Sequence, residues 1–212
     1  MEYFRAFIET LIIVFSSGAL ALVIGFPIGI ILMMTSKNSM KPMPVFNTVI
    51  GFIINVMRSI PFIILLVILI PVTVIFTGGT FLGIRGSIVP MVFAAFPFIS
   101  RIIENSMNEI DKGVIEAAHS MGFSTLQIIY KVLIPESLPG IVRGVTLALI
   151  AIIGYSAMVS IVAGGGLGAL AVMAGHERGD RSVMFISTLL LMIIVVFIQT
   201  TGNLLAKKIN KK

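Results

Sequence analysis

Four long stretches of the chain carry no charge at all, and their lengths set the architecture. They cover residues 10–36 (27 residues), 59–84 (26), 144–176 (33) and 182–206 (25). A shorter one, 86–100, has 15 residues between two arginines whose side chains can snorkel to an interface. About 20 apolar residues cross the hydrocarbon layer of a bilayer as a helix. The pattern therefore predicts five spanning helices, at about 7–34, 55–76, 86–103, 141–162 and 184–205. Barrel strands would show short alternating segments instead, so the expected class is an all-α membrane protein of one transmembrane domain, residues 1–212. Between the third and fourth spans the pattern breaks. Residues 104–140 include "IEAAHSMGFSTLQIIYKVLIPESLPG", a stretch as polar as a soluble helix pair.

Composition agrees with the spans. Of the 212 residues 58% are hydrophobic and 11% charged, whereas a soluble domain is about a quarter charged. The first span is too long for a signal peptide and opens with "MEYFRAFIET" rather than a basic run, so it reads as a retained helix. The absence of cysteine excludes disulfides and thiolate metal sites.

The net charge of +6 acquires meaning once its residues are placed. With loops on alternating sides, one side receives Lys37, Lys41, Arg101, Lys112, Lys131, Arg143, Lys207, Lys208, Lys211 and Lys212, and Arg58 lies near it. The other receives Arg5, Arg85, Arg178 and Arg181. Ten against four predicts that the basic side is cytoplasmic, with the N-terminus outside and the C-terminus inside. The positive charge is then a topology signal with contacts to lipid headgroups, not a nucleic-acid patch. The interruption at 104–140 becomes a cytoplasmic loop.

Local signals parse that loop. Asp111 is a candidate N-cap for a helix to Met121, and Gly122 is placed to end it. Ser124 with Gln127 forms a capping box for a second helix, expected to stop before Pro135. Ala117 and Ala118 give the first helix a small face, and Glu116 and His119 place polar groups along it. Such a pair fits an interfacial amphipathic element or a knob that docks into a groove of a cytosolic protein.

Within the spans, Gly25 and Gly29 of "GFPIG" have the spacing of close helix packing, and Pro27 between them, like Pro61, Pro71, Pro90 and Pro97, predicts kinks. The most polar intramembrane stretch is "GYSAMVS". There Ser156 and Ser160, four apart, are expected to share a helix face with Tyr155 and Met158 near it, lining a translocation path or gate. The following "GGGLGALA" formally matches a dinucleotide fingerprint, but no strand precedes it. His176, Glu177 and Asp180 read as an exposed charged loop, since two histidines in the chain supply few metal ligands. No P-loop and no catalytic constellation is present, so the chain is not expected to be an enzyme, and no cofactor or metal is expected on it. No acid lies deep in a span and five helices divide badly into equal repeats, which disfavours an ion-coupled carrier.

"EAAHSMGFSTLQIIYKVLIP" resembles the EAA loop of prokaryotic ABC importer permeases, namely Glu-Ala-Ala, three residues, Gly, nine residues, then Ile-x-Leu-Pro. The matching positions are Glu116, Ala117, Ala118, Gly122, Val132, Ile134 and Pro135, with His119 and Met121 inside the pattern. Val132 and Ile134 depart from it but keep apolar character. "RSIPFIILL", "FPFISRIIENSMNEI", "IPESLPG" and "GYSAM" followed by "GGGLGAL" are similar to the methionine-uptake permeases, over roughly residues 58–203. The resemblance implies a type I ABC importer permease fold with cytoplasmic coupling helices, in a bacterial inner or plasma membrane. It implies a homodimer above two separate ATPase subunits, which bind the ATP and Mg, and an external substrate-binding lipoprotein. In that picture the EAA loop couples to the ATPase, and the substrate is D- or L-methionine or a close analogue. Another small amino acid is the alternative substrate.

Overall fold

The computed structural model describes residues 1–37, 39–162 and 164–210, and of Ile161 the backbone alone. Lys211 and Lys212, counted above for the basic side, lie outside the described residues. The first span is one helix, α1 (Glu2–Thr35), unbroken by Pro27. Its glycine pair does what the spacing predicts. A Cβ on Gly25 would lie 2.9 Å from the Phe96 carbonyl oxygen, and one on Gly29 would lie 2.6 Å from that of Ser100. Only glycine lets the two backbones approach so closely.

The second span is not the single helix expected at 55–76. It comprises α2 (Pro44–Ser59), α3 (Phe62–Ile68) and α4 (Ile70–Thr77), and α2 meets α3 at 104°. Pro61 causes the main break: its ring forces the preceding Ile60 into an extended conformation (φ −76°, ψ 123°) and it has no N–H to donate. Pro71 accompanies the second break, after Leu69. Residues 44–54 fall outside the predicted span yet are helical, initiated by Pro44 in the first turn, where a missing N–H costs nothing.

The third span is α5 (Gly83–Asn108). The polar interruption holds α6 (Lys112–Ser120), then α7 (Thr125–Ile128), a five-residue π turn (Ile129–Leu133) and α8 (Ile134–Ser156). The last three form one 32-residue helical run, Thr125–Ser156. A short α9 (Leu167–Leu170) and a π turn (Ala171–Glu177) lead to α10 (Arg181–Ile209). Among the described residues four helical runs are long and apolar enough to cross a membrane, and the bent α2–α3 pair makes a fifth if it counts as one span. Most overrun the predicted spans, because charge-free windows measure lipid thickness while caps set helix ends. The Asp180 carboxylate, for instance, accepts from the N–H groups of Ser182 (3.1 Å) and Val183 (3.2 Å) to start α10.

α5 is sandwiched between α1 and α8, and α8 carries α10 on its other flank. One continuous core holds Ile13 and Val14 of α1, Ile99 and Ile103 of α5, Ile152 of α8 and Ile194 of α10. Phe197, Val196, Ile75 and Leu204 point outward, as lipid-facing side chains do. The bundle has two polar ends. One gathers the start of α1, the α4–α5 turn and residues 164–178 around a cavity. The other gathers the end of α1, the end of α5 and α6 around a second cavity.

Candidate functional site

The helix pair at the second end is built by its caps. The Asp111 side chain accepts from the Gly113 N–H (2.7 Å) and starts α6. At its end, the N–H of Gly122 donates to the His119 carbonyl (2.9 Å) and that of Phe123 to the Ala118 carbonyl (3.2 Å). This double closure is a Schellman motif, and Gly122 takes its left-handed position at φ +76°. Ser124 then opens α7 with the capping box that the sequence predicts. Gln127 accepts from the Ser124 N–H (2.8 Å), and Ser124 accepts from the Gln127 N–H (3.4 Å). The Lys131 ammonium sits 5.5 Å from the centre of the Phe123 ring and braces the turn.

Two sequence expectations change here. The second helix does not stop before Pro135. The π turn just ahead of it loosens the helical ladder, and the Ser137 hydroxyl donates to the Leu133 carbonyl (2.6 Å), so the helix runs on through Pro135 and Pro139. Nor do Ala117 and Ala118 form one outward face. Successive helical residues are about 100° apart, and Ala118 is 1% exposed, closed against its own chain with Ile128, Ile129 and Leu133 in the same core. Ala117 faces out, as do Glu116 and His119. Val114, Ala117 and Met121, at i, i+3 and i+7, make an exposed small and apolar stripe, and Leu126 and Tyr130 are exposed on the neighbouring turns. Of the remaining motif positions, Gly122 and Pro135 are exposed while Val132 and Ile134 are half-buried around the fully buried Leu133. The arrangement is a rigid knob: one face locked to its own bundle, the other apolar and open.

The polar stretch at the far end of α8 is also rearranged. α8 ends at Ser156, and Met158–Val162 forms a 3₁₀ turn. With three residues per turn beyond the break, Ser156 and Ser160 do not share a face. Ser156 is buried and its hydroxyl has no hydrogen-bond partner among the described residues. It lies against Gly168, where a Cβ would come within 2.5 Å of its Oγ. Ser160 is half-buried and Met158 exposed. The Tyr155 ring stacks on Phe62 of α3, with centroids 4.6 Å apart and planes 11° from parallel. Thus Tyr155 joins the long α8 to the broken second span, while Ser156 belongs to packing.

Two polar arrangements escape the sequence reading. Glu9 and Thr10 of α1 reach the glycine turn after the 3₁₀ segment. The Gly166 N–H donates to Glu9 (3.0 Å) and the Leu167 N–H to the Thr10 hydroxyl (2.8 Å). Glu9 also pairs with Arg5 (2.8 Å). In α5, Arg101 pairs with the nearly buried Glu104 (2.6 Å) and donates to the Gly51 carbonyl (2.9 Å) and Asn55 (3.1 Å) of α2. The signal for the second was a charge pair three apart on a helix; the first had none, because its partners are 157 residues apart.

The sequence profile described as "Binding-protein-dependent transport system inner membrane component" matches residues 25–212. A relative from Vibrio cholerae, "Probable D-methionine transport system permease protein MetI", is 40% identical over 204 residues, 96% of this chain and 90% of that protein. The "Methionine import system permease protein MetP" of Bacillus subtilis is 42% identical over 182 residues, 86% of this chain and 82% of that one. Among solved structures, a chain of the inward-facing MetNI methionine ABC transporter superposes with a TM-score of 0.93 at 39% identity, covering 99% of this chain and 97% of that one. The chain belongs to the family of inner membrane components of binding-protein-dependent transport systems.

Proposed function

We propose that this protein is the membrane-spanning permease subunit of an ATP-driven importer of methionine or a closely related amino acid. The observation that carries the reading is the knob at α6. A 32-residue helical run, about 48 Å long at 1.5 Å per residue, connects its turn to the Tyr155–Phe62 stack at the far end of that run. A partner gripping the stripe of Val114, Ala117 and Met121 moves the run as a lever, because the Schellman motif and capping box allow no slack between α6 and α7. This is how a site that binds no nucleotide itself receives mechanical work.

The assembly follows from that lever. Two copies of the chain enclose a central path, two ATPase subunits grip the two α6 knobs from the cytoplasm and supply the ATP and Mg sites, and an external binding protein delivers substrate. The end with α6 faces the cytoplasm, where its lysines belong, and the N-terminus lies outside. Glu116, Ala117, His119, Met121 and Gly122 meet the ATPase. Ala118, Val132, Ile134 and Pro135 hold the knob to its lever. Tyr155, Met158 and Ser160 face the path. Methionine as substrate rests on what the relatives are named for. ATP-dependent uptake in vesicles reconstituted with the permease, its ATPase and its binding protein, challenged with a panel of amino acids, tests the reading. Uptake that persists without ATP, or that prefers a non-amino-acid solute, overturns it.

A further inference from the structure

The end of the bundle opposite α6 contains a cavity of about 540 Å³ whose chemistry the proposed lever does not use. Its size falls in the range of small-molecule sites. The floor is the glycine turn at 164–166, held rigid from below. A side chain at Gly165 would run into the Glu9 carboxylate, and Gly166 has a φ of +97°. Glu9 and Thr10 hold this turn through the backbone N–H groups of Gly166 and Leu167. The floor is therefore bare backbone fixed in place.

The charges around the cavity divide into two sets. Arg5 and Glu9 neutralise each other. Glu2, Arg85 and Arg178 also line the cavity, and none of their side chains has an ion-pair or hydrogen-bond partner among the described residues. Arg85 stands in the first turn of α5, where the helix dipole disfavours a cation. A guanidinium kept there, in one cavity with a second, suits an anion, and the N-terminal N–H groups of a long helix add to the same preference. Thr80 also lines the cavity, and Ala6, Ala169, Leu170 and Met173 supply an apolar wall.

Two uncommitted guanidiniums, one uncommitted carboxylate and an apolar wall in one cavity are the complement of a zwitterion with an apolar side chain. We infer that this cavity is an outer binding site for an apolar α-amino acid, whose carboxylate lies at Arg85 and Arg178, its ammonium at Glu2 and its side chain against Leu170 and Met173. The inference rests on the proposed function for the choice of amino acid, and it gives the permease a substrate contact of its own before the membrane is crossed.

The test is equilibrium binding of radiolabelled L-methionine to the permease–ATPase complex in nanodiscs, without binding protein. Saturable binding is expected, with competition by leucine and none by methioninol, which lacks the carboxylate. Arg85→Gln combined with Arg178→Gln should weaken binding by about tenfold or more. Absence of saturable binding, or full competition by methioninol on the wild type, overturns the site without relying on the variant. A double variant that loses affinity only for the binding protein makes the cavity a docking socket and also overturns the inference. Methionine uptake by the complete system that persists without direct binding sinks this site and leaves the proposed function standing. Failure of the wild-type system to take up any amino acid sinks the proposed function itself.

Discussion

The backbone N–H of Phe123 donates to the carbonyl of Ala118, five residues earlier, at 3.2 Å, which folds the end of α6 back over its own chain. The same Ala118 is 1% exposed, whereas its neighbour Ala117 is open. The two alanines therefore fail in different ways when enlarged. Ala118→Trp overpacks the bundle and should lower stability by about 1–3 kcal/mol or more, visible as a reduced melting temperature of the purified permease. Ala117→Trp should leave the melting temperature unchanged and abolish uptake. Wild-type uptake by Ala117→Trp would remove the outer stripe of α6 from the coupling contact.

Gly122 closes the Schellman motif with φ +76°, and no neighbouring atom lies within 4 Å of where its Cβ would be. The cost of a side chain there is backbone strain, not collision. Gly122→Val should cost about 1–2 kcal/mol, and Gly122→Asn, which tolerates the left-handed region, clearly less. Melting temperatures that do not separate the two variants would mean that the turn conformation is not what glycine supplies. If the rigid turn transmits work, ATP hydrolysis per molecule transported should rise in Gly122→Val.

Arg101 and Glu104 are paired at 2.6 Å with side chains 21% and 10% exposed, and Arg101 also holds α2 through Gly51 and Asn55. Arg101→Met strands a nearly buried carboxylate and should destabilise by about 3 kcal/mol. Removing both charges, Arg101→Met with Glu104→Leu, should recover much of that loss, since the apolar pair has no desolvation cost. A double variant less stable than Arg101→Met alone would contradict this, read by thermal unfolding in detergent.

How much of this the sequence discloses depends on the range of the interaction. The caps of α6 and α7 are legible because Asp111, Gly122, Ser124 and Gln127 act on backbone within three residues of themselves. The packing of Gly25 and Gly29 is legible because a fixed spacing defines a helix face. By contrast, Pro61 breaks its span by 104° while Pro27 and Pro97 leave theirs unbroken, and the residue type is the same. What differs is whether neighbouring helices supply packing to hold the helix together, which lies outside the local pattern. The break after Ser156 is hidden for the same reason: a charge-free window continues across it. Ala118 and Ala117 look equivalent as letters, and only the position of α7 and the π turn separates them.

The absence of any cysteine makes a clean test of the polar stretch at the end of α8. Single cysteines at Tyr155, Ser156, Met158 and Ser160 can be challenged with a membrane-impermeant thiol reagent in vesicles, with and without ATP. The 3₁₀ turn presents Met158 outward and leaves Ser160 half-buried, while Ser156 is enclosed beneath Gly168. Reaction should therefore be fast at 158, intermediate at 160 and absent at 156. Tyr155 is stacked on Phe62, a contact worth about 0.5–1.5 kcal/mol that can be opened and remade during a cycle. If this stack is the gate at the end of the lever, reactivity at 155 changes between the ATP-bound and nucleotide-free states while 156 stays protected in both. Equal reactivity at 155 in the two states would place the gate elsewhere, and rapid labelling at 156 would mean that α8 does not end where the packing of Ser156 on Gly168 requires.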